Sequence, residues 1–179
     1  MTDEEFQKFP SIARLSREVI VTEKIDGTNA QIYITHDGRL LCGSRSRYIT
    51  IADDNHGFAK WVSINRAQLM ELGVGRHYGE WWGLGIQSGY GLKEKRFSLF
   101  NVTRWCDDRP ACCDVVPVLY RGEFNTGIIE GVMTHLLATG SLAAPGFMHP
   151  EGIVIYHVQG DISFKKTFKN DDKGKSYGA

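Results

Sequence analysis

The pattern of apolar and polar positions changes period several times along the chain, and each change marks an element. "VIVT" (19–22) is a compact apolar, β-branched run, the mark of a buried strand. Beyond the KIDG turn (24–27), Ala30, Ile32 and Ile34 alternate with Asn29, Gln31 and Tyr33, which predicts a strand with one buried face. Asp37-Gly38 is a hairpin signal before "RLLCGS" (39–44), so these two strands are expected as antiparallel neighbours. From Gly57 to Leu72 the period becomes helical, with Phe58, Trp61, Val62, Leu69 and Leu72 in step and Gly73 as the stop. "HYGEWWG" (77–83) and "RFSLFNVT" (96–103) read as two strands around a glycine-rich loop, and "VVPVLY" (115–120) as another. A second helix follows, which Asn125 or Thr126 caps and Gly140 ends. "GIVIYHV" (152–158) and "ISFKKTF" (162–168) close the pattern around a Gly160-Asp161 turn, and "FPSIARLSRE" (9–18) is a short lead-in. Strands outnumber helices, so the expected class is α+β built on antiparallel sheets.

Composition narrows this picture. The 179 residues suit one domain, with no repeat, linker or low-complexity segment. Lys plus Arg and Asp plus Glu balance at 21 each, so nucleic-acid binding would have to come from a local patch. No cleavable signal is apparent and no apolar run approaches about 18 residues, which points to a soluble, cytoplasmic protein that does not enter a membrane. Cys42, Cys106, Cys112 and Cys113 lack paired metal-ligand spacing and are expected as structural or free thiols.

The chemistry gathers at a few places. Lys24 stands between Glu23 and Asp26, just before Gly27. A free lysine with a pKa of about 10.4 is a poor nucleophile, and neighbouring acids hold its proton rather than release it. Glu23 and Asp26 therefore fit a ligand or a metal better than an activating role, with Gly27 letting backbone approach that ligand. Taken alone, an exposed Lys-Asp turn is the ordinary reading. Arg45 and Arg47 lie two residues apart in "GSRSRYIT" (43–50), read as a strand that would put both guanidinium forks on one face toward phosphate. Glu80 sits among aromatics and glycines in "GEWWG" (79–83). In "RFSLFNV" (96–102), Phe97, Leu99 and Asn101 share one face and Ser98, Phe100 and Val102 the other, so an aromatic on the ligand side is placed to stack on a base. Glu151 opens one late strand while Lys165, Lys166 and Lys169 lie on the next, a metal-and-phosphate arrangement if both reach one pocket.

In this order the segments resemble the covalent nucleotidyltransferases, the superfamily of polynucleotide ligases and mRNA capping enzymes. KIDG (24–27) is similar to their motif I, SRSR (44–47) to motif Ia, GEWWG to motif III and RFSLFNV to motif IIIa. EGIVIY (151–156) is similar to motif IV and FKKTF (164–168) to motif V. "EKIDGTN" (23–29) and "FSLFNV" (97–102) resemble the RNA ligase branch that includes phage RNA ligase 2 and the trypanosome RNA-editing ligases. Asn101 stands where that branch has aspartate, and Thr167 where it has a second lysine.

The resemblance implies an ATP-grasp-like nucleotidyltransferase domain with antiparallel sheets flanking the nucleotide, without a C-terminal OB or helical domain. It implies an ATP-dependent RNA ligase in which Lys24 attacks the α-phosphate and carries AMP. Glu23 would read the adenine amino group beside Ile25 and Gly27, and Asn29 would touch the nucleotide or the RNA 5′-phosphate. Arg45 would hold phosphate or ribose, Arg47 less so; Glu80 would bind the ribose hydroxyl and Phe100 would stack on adenine. Glu151 would organise Mg2+ (or Mn2+) through its waters, with Asp26 a weaker ligand, and Lys165 would neutralise the α-phosphate. RNA ends, in single strands or nicked duplex, are the implied partners, with a separate end-healing or RNA-binding protein as a further one. A DNA ligase, a capping guanylyltransferase or a non-catalytic nucleotide- or RNA-binding module are the alternatives; Lys24 and Glu151 are both present, which speaks against the last.

Strand periodicity adds one further expectation. Phe164, Lys166 and Phe168 share a face that should turn inward, leaving Lys165 and Thr167 toward the nucleotide. Lys166 reaches the pocket only by snorkelling or through a bulge. An RNA patch is expected from Arg45, Arg47, Lys165, Lys166, Lys169, Lys173 and Lys175.

Overall fold

The computed structural model describes residues 6–106 and 108–171. Its strands are β1 (Glu18–Lys24), β2 (Thr28–Ile34), β3 (Leu40–Gly43), β4 (Tyr48–Ile49), β5 (Gly75–Gly83), β6 (Lys95–Leu99), β7 (Asp114–Val115), β8 (Val118–Glu123), β9 (Gly152–His157) and β10 (Ile162–Thr167). Helices α1 (Phe58–Ile64), α2 (Arg66–Leu69) and α3 (Thr126–Thr139) accompany them. The strands form two sheets, of order β10-β9-β1-β8 and β4-β3-β2-β5-β6-β7. Every pairing is antiparallel except that of β6 with β7. The KIDG turn carries the chain from β1 in the small sheet to β2 in the large one, so residues flanking it face each other across the gap between sheets.

β2 of the large sheet buries one face as its alternation predicts, while the continuous apolar run of β1 in the small sheet is buried on both faces. On the large sheet Ala30, Ile32 and Ile34 pack with Phe58, Leu69, Trp81 and Phe97. On the small sheet Val19, Val21, Ile153 and Ile155 pack against Ile129, Met133 and Leu136 of α3. Burying each such side chain contributes about 1.5–3 kcal/mol, so these clusters fix which strand faces are left for the gap. Asn125 caps α3 by accepting hydrogen bonds from the N–H groups of Gly127 and Ile128, and Gly140 ends it at φ 80°.

Two elements are broken where the sequence pattern is continuous. The helix expected over 57–72 is broken into α1, α2 and a 3-10 turn (Met70–Leu72). At Asn65 both the backbone N–H and the side-chain amide donate to Trp61 O, so the side chain competes with the continuing helix. The run at 115–120 is split, because Pro117 has no N–H for a ladder; β7 ends in the large sheet and β8 starts in the small one.

Two glycines are dictated by space. A Cβ on Gly27 would lie 2.6 Å from Trp81 O and 2.7 Å from Trp82 Cβ, so the turn packs directly on β5. Gly152, at φ 151°, would put a Cβ 2.2 Å from Lys166 O. Gly27 is thus required for the close approach of the turn to β5.

Candidate active site

Register brings the reactive groups together. Lys24, the last residue of β1, pairs with Gly152, so Glu151 just ahead of β9 lies beside it. Lys24 Nζ donates to Glu151 Oε2 at 2.5 Å, both side chains about a quarter exposed (25% and 30%). On the large sheet Asn29 pairs with Glu80, and its amide donates to Glu80 Oε2 at 3.4 Å. Lys24, Asp26, Gly27, Thr28, Asn29, Arg45, Glu80 and Glu151 line one open cleft of about 350 Å³. The cleft is polar, with carboxylates on both sheets and two cationic side chains.

Burial pushes the Glu80 carboxyl up from its ordinary value of 4.5 to about 7; Lys24 opposes the shift and Glu151 adds to it. The native state therefore holds this proton more tightly than the unfolded chain. Stability contributed by the protonated form is full below about pH 4.5 and is lost as pH rises through about 7. The loss amounts to at most about 3 kcal/mol. Urea melts of wild type and Glu80→Gln at acidic and alkaline pH should show that the variant lacks this decline; parallel pH dependences would show that Glu80 is not its source.

A sequence model of the RNA ligase family matches residues 17–170. The chain belongs to the RNA ligase family. No curated protein matches the sequence. Among solved structures, Naegleria gruberi RNA ligase is similar in fold. A lysine-to-alanine variant with ATP and Mn matches at TM-score 0.62 and 21% identity, covering 85% of this chain and 49% of that one. A lysine-to-methionine variant with AMP and Mn matches at 0.60 and 20%, covering 86% and 50%. The form with PPi matches at 0.60 and 21%, covering 85% and 50%. The chain spans about half the length of these ligases. The fold is therefore the α+β nucleotidyltransferase arrangement of RNA ligases, and the family motifs can be placed on it.

Within this RNA ligase family domain, Lys24, Asp26, Asn29, Arg45, Glu80 and Glu151 all line the one cleft. Lys165 pairs with Val154, which pairs with Thr22; Thr167 pairs with Gly152, which pairs with Lys24. Directly paired residues share a sheet face, so Lys165 and Thr167 lie on the face of Lys24. Phe100 follows the end of β6, its N–H donating to Tyr78 O at 3.0 Å, and is 40% exposed. It continues the face of Ser98 and Glu80 but does not line the cleft. Ile25 is buried with Trp82 and Tyr90 under the turn.

Three expectations change. Residues 44–47 form a turn closed by Ser44 N–H on Arg47 O, not a strand, so Arg45 and Arg47 do not share a face. Arg47 is paired with Asp53, while Arg45 stays at the cleft. Lys166 is turned to the α3 side, as strand alternation predicts, with Glu130 at 3.3 Å and Asp171 at 3.7 Å, so of the two adjacent lysines only Lys165 is on the face of Lys24. Phe164 shares that side but is 52% exposed, because β10 is an edge strand there; Phe168 alone joins the α3 cluster.

Glu23 is the third. Alternation along β1 sends it to the α3 face, where Ser141 Oγ (2.5 Å) and the N–H groups of Leu142 (2.8 Å) and Ala143 (3.0 Å) donate to its carboxylate. The structure thus sets this carboxylate on the loop after α3, 1% exposed, rather than in the cleft. Lys173 and Lys175 lie outside the described residues.

Sequence reasoning passed over two supports of the cleft. Thr28 lines it and accepts from Asn55 at 3.2 Å, and Tyr90 OH accepts the Asp26 N–H at 2.8 Å. Thr28 was legible inside the GTN run, but nothing local marks Asn55 or Tyr90. Among the described residues no three His, Cys, Asp or Glu side chains gather closely enough to hold a metal alone. Scattered hard oxygen donors of this kind suit Mg2+ or Mn2+ kept partly hydrated and shared with phosphates. No helix among the described residues is long and apolar enough to cross a membrane.

Proposed function

We propose that this domain is the catalytic core of an ATP-dependent RNA ligase. The observation that carries the reading is the amine of Lys24 held 2.5 Å from Glu151 in a cleft that Arg45 also lines. ATP and Mn in one Naegleria gruberi ligase structure, AMP and Mn in another and PPi in a third support the same ligands here.

In the first step Lys24 Nζ attacks the α-phosphorus of ATP. The N–P bond forms, the P–O bond to pyrophosphate breaks, and pyrophosphate leaves with the electron pair. The amine attacks only without its proton, and Glu151 is the carboxylate that accepts its hydrogen bond. Charge builds on the phosphate oxygens, where Arg45 and Lys165 supply fixed positive charge. A divalent metal held near Glu151, with Asp26 as a weaker ligand, would add further positive charge there. An oxygen of an RNA 5′-phosphate then attacks the same phosphorus, and Lys24 leaves and regains its proton. Finally a 3′-hydroxyl gives up its proton to solvent and attacks the activated 5′-phosphate; the phosphodiester forms, the P–O bond to AMP breaks and AMP leaves with the electron pair. Asn29 and Glu80 lie across the cleft, suited to the sugar hydroxyls and the 5′-phosphate.

A sealing assay tests this reading. With Mg2+ and ATP, single-stranded RNA bearing a 5′-phosphate and a 3′-hydroxyl should yield circles or joined strands, and GTP should not replace ATP. Nucleotide transfer with GTP alone, or no joining of RNA in any form, would overturn it.

A further inference from the structure

The cleft-side face of the large sheet does not end at the cleft. Two residues further along each strand, a row runs across the sheet. Tyr48 pairs with Gly43, Gly43 with Gln31, and Gln31 with Tyr78. Paired residues share a face, so these side chains stand on the side of Asn29 and Glu80, about 6.6 Å from that row by strand rise. Tyr48 is 50% exposed and Tyr78 53%. Gly43 puts no side chain between Tyr48 and Gln31. In the next row Arg76 pairs with Tyr33, and its guanidinium lies 4.1 Å from the centre of that ring. Arg76 also donates to Tyr48 OH and to Gln31 Oε1, each at 3.1 Å, so the cation and the ring are held in place.

We infer that this row is a stacking platform for unpaired bases of the RNA strand whose end lies in the cleft. The inference rests on the proposed RNA substrate. Exposed rings on an open antiparallel sheet, with an amide between them and an arginine in the next row, suit splayed bases of single-stranded RNA, because each base has a π-face. The row begins one side-chain repeat from Glu80 and Asn29, so a strand leaving the cleft meets it without a turn. Duplex RNA presents no free base faces, which makes the platform selective for single-stranded ends.

Binding of fluorescently labelled short single-stranded RNA, and of a blunt duplex of the same sequence, at one fixed salt concentration tests this. The double variant Tyr48→Leu/Tyr78→Leu should bind the single strand roughly tenfold or more weakly. Its duplex binding and its uptake of AMP should match wild type. Tyr48→Phe/Tyr78→Phe keeps the rings and should bind as wild type, which separates stacking from loss of the hydroxyl held by Arg76. Unchanged single-strand affinity in the leucine variant would overturn the inference, as would equal losses in the leucine and phenylalanine variants or an equal loss for duplex. Normal AMP uptake with unchanged RNA binding defeats only the platform. Failure of wild type to take up AMP defeats the ligase reading instead.

Discussion

Lys165→Ala should slow single-turnover transfer of AMP to the protein by about ten- to a hundredfold, while Lys166→Ala stays near the wild-type rate. The difference follows from register. Lys165 stands in line with Val154 and Thr22, one row from Lys24, Gly152 and Thr167, on the face that borders the cleft. Lys166 stands in line with Ile153 and Glu23, on the face that α3 covers, and reaches Glu130 there. A hydrogen bond to a charged group contributes about 1.5–3 kcal/mol, and a cation waiting beside the α-phosphate acts as charge develops. The exposed Lys166–Glu130 pair contributes at most about 1 kcal/mol to stability, so its loss should leave the fold intact. Greater damage from Lys166→Ala would mean that β10 is shifted by one residue in the working enzyme.

The second large effect is expected at Glu151. Its Oε2 accepts the only hydrogen bond found for Lys24 Nζ among the described residues, so it sets where the amine points. Displacing a reacting atom by about 1 Å can cost about a hundredfold. Glu151→Ala should therefore lower AMP transfer about a hundredfold or more. Glu151→Gln retains an acceptor without the charge and should fall between that variant and wild type. Single-turnover rates at saturating ATP make the comparison. A fully active Glu151→Ala would remove the pair from the account.

Much of this site was legible before any fold was known, and the reason is local. Lys24, Asp26, Gly27 and Asn29 are held by one turn and one strand start, whose alternation is plain in the sequence. The opposite facing of Lys165 and Lys166 was legible for the same reason, because strand alternation needs only neighbours in sequence. Glu23 was not, since its three hydrogen-bond donors come from a loop some 118 residues away. Lys24 and Glu151 are 127 residues apart, and their meeting depends on how β1 and β9 pair. Arg45 and Arg47 misled because a turn and a short strand carry the same polar residues, and a single Asp53 decides where Arg47 goes. The break in the first helix lay in one asparagine side chain, which hydrophobic periodicity does not register. Phe164 stayed exposed because its strand is at a sheet edge, a property of topology rather than of local pattern.

The central claim is that Lys24 is the nucleophile, and intact-mass spectrometry tests it most directly. After incubation with ATP and Mg2+, the protein should gain the mass of one AMP, released by acid, with the adduct mapped by peptide digestion to Lys24. Lys24→Ala should gain none. An adduct mapped to another residue, or one that persists in Lys24→Ala, would contradict the account, as would wild-type protein that takes up no AMP.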